Sequence, residues 1–171
     1  MRKIERMSPA QFFASTVKPT VDEFMTDVQN IRRGRLAAIV LYHMADHAAL
    51  EGYDGNDRQI MNARLDKLRQ ELGDACPDFT LIHDIADASK HARLSVPKKA
   101  APRQISTAEQ LTRPPGFFGV PFGTGVFNEA SWVIVTFDDG KARPLAGIVR
   151  SVTEMWEKRL RLCASEPSNN P

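Results

Sequence analysis

Two histidines four residues apart, His43 and His47, fall among the apolar residues of one helical stretch, where leucines would be expected. The HxxxH spacing sets two ring nitrogens on one helix face and can chelate a metal such as zinc, iron or manganese. A second stretch, IHDIADASKHARL over residues 82–94, gathers His83, Asp84, Asp87, Lys90 and His91 on one side. Asp87 and His91 are four apart, so a carboxylate can orient and charge an imidazole there. Such a pair suits a general base and its positioner. All four histidines of the chain lie in these two stretches.

Helical geometry sharpens both expectations. At about 100° per residue, Leu36, Val40, His43, His47 and Leu50 fall within an arc of roughly 80°. Both imidazoles are then predicted to point into the core or toward a hole in it, with Asp46 to one side. A buried imidazole needs a partner for its N–H or its lone pair. Three readings stay open: core histidines bonded to backbone or a carboxylate, a ligand pocket, or a metal site. On the second stretch Lys90, His83, Asp87, His91 and Asp84 span about 120°, opposite Phe79, Ile82, Ile85, Ala86 and Ala92. The plain alternative is a solvated face carrying an ordinary ion pair. The small neighbours Ala86, Ala88, Ser89 and Ala92 would permit close helix approach, letting Asp84 and His91 straddle a partner helix.

The elements that must carry these residues are mostly helical. Ser8-Pro9 predicts an N-cap with proline at the first helical position and a short helix to about Val17, broken at Pro19. Thr20 and Glu23 read as a capping box opening a helix that continues to Leu50, with Gly52 as its stop and Gly34 as a point of kinking or splitting. Residues 53–57 predict a turn, with Asn56 or Asp57 capping a helix through Ile60, Leu68 and Leu72 that ends at Gly73. Asp78 is expected to cap the next helix, through Leu94.

The character then changes. Residues 95–115 hold four prolines and the basic Lys98, Lys99, Arg103 and Arg113, without a period, and read as a loop. Residues 114–127, PPGFFGVPFGTGVF, read as a phenylalanine-bearing cap or interface rather than a phosphate cradle, because the GK[ST] ending is missing. Residues 130–137 and 141–145, joined by Asp139-Gly140, predict a hairpin with Pro144 on its edge strand. A last helix from about Ala146 to Cys163 carries Val149, Val152, Trp156, Leu160 and Cys163 on one seam. The expected fold is mainly α: an antiparallel up-and-down bundle with one β-hairpin, at about residues 130–145, before the C-terminal helix. Residues 1–164 are read as one helical-bundle domain and 165–171 as a mobile tail.

Composition narrows the classes. A chain of 171 residues with net charge +2 has no strong overall attraction to polyanions, leaving only local basic patches. No apolar run reaches the ~18–20 residues that span a bilayer, and no secretory signal is expected, so a cytoplasmic location follows by default. Cys76 and Cys163 match no CxxC spacing and read as free thiols.

The run of long antiparallel helices, together with DIADASKHARL and its late Lys-His pair, resembles the HEPN-like helical bundles of bacteria, including uncharacterised members with a closing hairpin and a Trp-bearing helix. The resemblance covers residues 20–95 and 146–163. It implies a homodimer that binds RNA or a nucleotide. Ribonucleases of that superfamily carry an arginine four to six residues before a histidine, and no such pair exists here: Arg35 precedes His43 by a longer gap. The expectation is therefore a binding or interaction module without a cofactor, with His43, His47, His83, Asp84, Asp87, Lys90 and His91 as its pocket. The HxxxH pair is also similar to that of DinB-like four-helix metal proteins. That likeness implies a metal-dependent hydrolase with His43, His47 and His91 or His83 as ligands, although the pair stands in the earlier helix here. The third alternative is a structural partner protein whose Phe-rich segment and hairpin edge form an interface.

Overall fold

Ser8 opens the first helix with a reciprocal cap: its hydroxyl accepts from the Gln11 N–H, and the Gln11 side chain accepts from the Ser8 N–H. The structure, a computed structural model, describes residues 7–91, 103–113 and 132–165, with side chains as far as Arg161. Helix α1 (Pro9–Phe12) does not stop before Pro19. It passes through a π-helical turn (Phe13–Val17) into α2 (Lys18–Thr26), so the three form one rod. Proline has no N–H, and its ring crowds the carbonyl four residues back. The wider π turn immediately before it accommodates both effects, with Lys18 N–H bonding to Phe13 O. Thr20 is not a cap; its hydroxyl donates to Thr16 O at 2.7 Å inside the rod.

The break comes later than Pro19 and earlier than Gly34. Asp27 leaves helical geometry, and Asn30 caps α3 (Ile31–Ala49) by accepting from Arg33 N–H at 3.2 Å. Gly34 lies within α3 and marks a close approach rather than a kink. A Cβ there would sit 2.6 Å from Leu145 Cδ2 and 3.1 Å from Phe24 Cε2. Gly52, at φ 68°, follows the end of α3 as expected.

Helix α4 (Arg58–Ala75) starts where the sequence places it, with Asp57 Oδ1 accepting from the N–H groups of Gln59 and Ile60. It runs through Gly73 instead of ending there. Helix α5 (Pro77–Lys90) has Cys76, not Asp78, at its N-cap. Asp78 sits in the first turn and takes both guanidinium nitrogens of Arg143, at 2.7 and 3.1 Å. The helix ends at Lys90, and His91 is extended.

Part of the expected loop is ordered structure. A single 3-10 turn (Ala108–Gln110), capped by Thr107, leads into β1 (Leu111–Thr112). This strand pairs antiparallel with β2 (Ile134–Thr136), which pairs with β3 (Ala142–Pro144) across the Asp139-Gly140 turn. The hairpin is thus one side of a three-stranded sheet of order β1-β2-β3, and Pro144 is on an edge. Residues 92–102 and 114–131, with Lys98, Lys99 and the glycine- and phenylalanine-rich stretch, lie outside the described residues, as does the tail beyond 165.

Helix α6 (Leu145–Ser165) closes the fold. Val149, Val152 and Trp156 are fully buried, as the apolar seam predicts, while Leu160 is half-buried. The central element is α3, packed by α1 and α2, α4, α5 and α6. Its inward face is Gly34, Ala37, Ala38, Leu41, Tyr42, Met44 and Ala45. Small residues there let the neighbouring helices approach, while Phe24, Leu41, Met44, Ile82, Ile85, Ile148 and Trp156 fill the space between. Each such large side chain contributes about 1.5–3 kcal/mol when buried. The mainly helical architecture with a small sheet before the last helix is therefore the one the sequence predicts. No helix among the described residues is long and apolar enough to cross a membrane.

Candidate functional site: a polar seam around Tyr42

The inward face of α3 displaces both histidines from the predicted core. With Ala37, Ala38 and Leu41 turned inward, His43 and His47 fall on the opposite, half-exposed side. His43 Nδ1 lies 3.2 Å from Asp46 Oδ2, and its side chain is 42% exposed. His47 stacks on Phe12 of α1, ring centroids 3.8 Å apart and planes 12° from parallel. Burial against that ring lowers the His47 pKa below its usual value, opposed by nearby Asp46 and reinforced by His43. The two rings thus have separate partners, Asp46 and Phe12. His91 is exposed at the end of α5. Among the described residues no group of three or more His, Cys, Asp or Glu side chains is placed to hold a metal ion.

A different convergence replaces it. Tyr42, adjacent to His43 on α3, is almost fully buried, and α4 and α5 supply its neighbours. Arg69 of α4 stands over its ring at 4.9 Å, and Lys90 of α5 lies 5.6 Å from the centroid. The His83 ring of α5 is 4.8 Å away and the Phe79 ring 6.1 Å. Burial raises the Tyr42 pKa to about 12; Arg69 acts in the opposite sense, while Asp87, Asp46 and Asp66 add to the rise. At neutral pH the phenol is therefore protonated and is not a base.

Ion pairs extend the seam in both directions. Asp46 bridges α3 and α4, accepting from Arg69 Nη2 at 2.9 Å while it holds His43. On α5, His83 lies between two carboxylates, Nδ1 3.3 Å from Asp84 and Nε2 3.3 Å from Asp87. Both carboxylates also face Arg103, whose Nη1 is 3.2 Å from Asp87 and 3.7 Å from Asp84. Asp84, only 3% exposed, further accepts the backbone N–H of Gln104 at 2.9 Å. The carboxylate part of the α5 arc is thus no solvated face, while Lys90 and His91 at its end are exposed. Those carboxylates anchor the segment that enters the sheet. Asp87 pairs with His83 and Arg103, and not with His91, whose backbone N–H alone bonds back to it at Asp87 O.

Of the predicted pocket, His43, His83, Asp84, Asp87 and Lys90 belong to this seam, and His47 and His91 do not. Sequence reasoning passed over Tyr42 and Arg69 and placed Arg103 in a loop. The signal for Tyr42 was its position four residues before Asp46, on one helix side. Nothing along the chain pointed to Arg69. The Nε atoms of Arg69 and Arg103 are buried without a hydrogen-bond partner among the described residues. Chemically the seam holds carboxylates already committed to cations, no activated nucleophile, and cationic groups reaching solvent at its rim. No family model matches the chain, and neither the curated proteins nor the solved structures yield a match.

Proposed function

We propose that this chain is a HEPN-like helical binding module, and that the Tyr42 seam takes the phosphate of a nucleotide or of RNA. The observation that carries the reading is Lys90. Its ammonium lies over the Tyr42 ring, it is exposed, and no carboxylate pairs with it among the described residues. Beside it His43, Arg69 and His83 each keep about a third of their side chain or more in solvent. Hydrogen bonds from cationic groups to a phosphate are among the stronger ones available to a protein. The three aspartates then act as orienting groups, holding the arginines and imidazoles in place ahead of binding.

The test is calorimetric titration with a mononucleotide and with a short single-stranded RNA, at two salt concentrations. A phosphate site loses affinity as salt rises. Lys90→Ala and Arg69→Gln are expected to weaken binding by roughly tenfold or more each, the scale of a charge-assisted bond. Absence of heat and of competition at millimolar ligand, for both probes, would remove the proposal. The hydrolase reading has no comparable observation behind it, His43 and His47 having separate partners in Asp46 and Phe12.

A further inference from the structure

The place of Lys90 over the Tyr42 ring depends on a pair that does not form. Asp87 stands three residues earlier on α5, and side chains three apart on a helix are neighbours, about 5–6 Å between Cβ atoms. An aspartate and a lysine so placed attract each other. Here the exposed ammonium lies 5.6 Å from the Tyr42 centroid instead, and Asp87 is engaged elsewhere.

Part of what engages Asp87 comes from outside the helix. Its Oδ2 faces His83 Nε2 at 3.3 Å and accepts from Arg103 Nη1 at 3.2 Å. Arg103 opens the segment that leads into β1. That segment is fixed by the Gln104 N–H on Asp84, by the Gln104 carbonyl on the Asp138 N–H, and by fully buried Ile105. The guanidinium is therefore brought to α5 by contacts that involve neither Asp87 nor Lys90. Asp84 is no substitute partner for Lys90, being 3% exposed and bonded to Gln104. The permanent charges around Tyr42 divide accordingly. Asp46 has Arg69, Asp84 and Asp87 share Arg103, and Lys90 is the cation left over among the described residues.

We propose that Arg103 is a positioning residue: by occupying Asp87 it prevents an Asp87–Lys90 pair along α5 and keeps the Lys90 ammonium over Tyr42, open to an anion from solvent. Its effect on phosphate affinity rests on the phosphate reading of the seam; the competition for Asp87 does not. Removing Arg103 alone weakens an anion site twice, since a carboxylate is uncovered beside it and the ammonium turns toward that carboxylate. Removing Asp87 as well cancels both effects. An arginine that merely fixed its segment would behave differently, because deleting its acceptor could not repair its own loss.

Two measurements on the full-length protein separate the competition from its consequence, with thermal melting as the control for folding. In the ligand-free protein, proton–carbon NMR reads the Lys90 ε-methylene signal, displaced by the Tyr42 ring and assigned by Lys90→Arg. Arg103→Gln is expected to move it to the position of an ordinary solvated lysine, and Arg103→Gln with Asp87→Asn to return it. Asp87→Asn alone tests the same competition with Arg103 and its segment untouched, and should leave the signal where it is. Calorimetric titration with inorganic phosphate and with adenosine monophosphate should show affinity about tenfold lower in Arg103→Gln, the effect of one uncompensated charge nearby, and within about twofold of wild type in the double variant. A Lys90 signal unmoved in folded Arg103→Gln, or moved by Asp87→Asn alone, overturns the proposal. So does a double variant as displaced as the single one, or as weak in binding. A signal that follows the prediction in a protein giving no heat with either probe removes the phosphate reading, and leaves Arg103 as the residue that places Lys90.

Discussion

Arg69 of α4 stands over the Tyr42 ring of α3 at 4.9 Å while its Nη2 holds Asp46, one turn further along α3, at 2.9 Å. One guanidinium thus serves an aromatic face and a carboxylate together, which a lysine could not reproduce with a single point charge. The contact fixes α4 against the polar side of α3 and sets the environment of the Tyr42 phenol.

That environment has a pH signature. The Tyr42 pKa is raised from 10.0 to about 12, so the folded state retains its proton where the unfolded chain has lost it. The associated stability is fully present below pH 10 and is lost as pH rises through about 12. Tyr42→Phe should flatten the alkaline fall in melting temperature, and ultraviolet titration should lose its latest tyrosinate step. An unchanged alkaline limb in the variant would count against the buried phenol.

His47 acts on the acid side. Its pKa is depressed by burial against Phe12, so the unfolded chain binds the proton more readily. Stability therefore falls as pH drops below about 6.5 and on through the lower folded value. His47→Phe keeps a stacking ring without the titration. Its melting temperature between pH 5 and 7 should vary less than that of the wild type, a difference that scanning calorimetry resolves.

Gly34 tests the packing of α3. A methyl group at this position would meet Leu145 Cδ2 at 2.6 Å, and Leu145 is fully buried with little room to move. Overpacking costs about 1–3 kcal/mol, against a helix-propensity gain of up to about 1 kcal/mol. Gly34→Ala should be destabilising by about 1–2 kcal/mol in urea unfolding. A stabilised variant would mean that α2 and α6 do not approach α3 so closely.

Asp84 tests the anchor of the segment leading into β1. It is buried, accepts the Gln104 N–H and faces both Arg103 and His83. Asp84→Ala leaves the Gln104 N–H without its acceptor and Arg103 with Asp87 alone, at a cost of about 1–3 kcal/mol. Hydrogen exchange should quicken first in residues 103–113. Uniform quickening across α3 and α6 at the same level would instead point to general unfolding.

How much of this was legible along the chain follows from which interactions are local. Ser8-Pro9, Asp57, Asp139-Gly140 and the Val149–Val152–Trp156 seam act within a few residues, and each is found where its spacing predicts. The side of α3 that turns inward is not a local property. Large apolar residues at Leu36, Val40 and Leu50 outweigh Ala37, Ala38 and Ala45 in any reading by hydrophobicity, yet a helix surrounded by others needs the small side inside. The histidines were misplaced together with that stripe. On α5 the inward set Phe79, Ile82, Ile85 and Ala86 is as read, but Asp84 is also buried, because a partner 20 residues away supplies its bonds. A two-residue strand such as β1 has no period to read at all.

The most direct test of the account is proton NMR of the histidine ring Cε1–H signals during titration with a mononucleotide or a short RNA, assigned by single His→Gln variants. Four signals report on three places: His43 and His83 in the seam, His47 stacked on Phe12, and His91 at the end of α5. The account predicts saturable shifts of His83 and His43 that disappear in Lys90→Ala, with His47 unmoved. Saturable shifts centred on His47 or His91, or no shift at millimolar ligand, would contradict it.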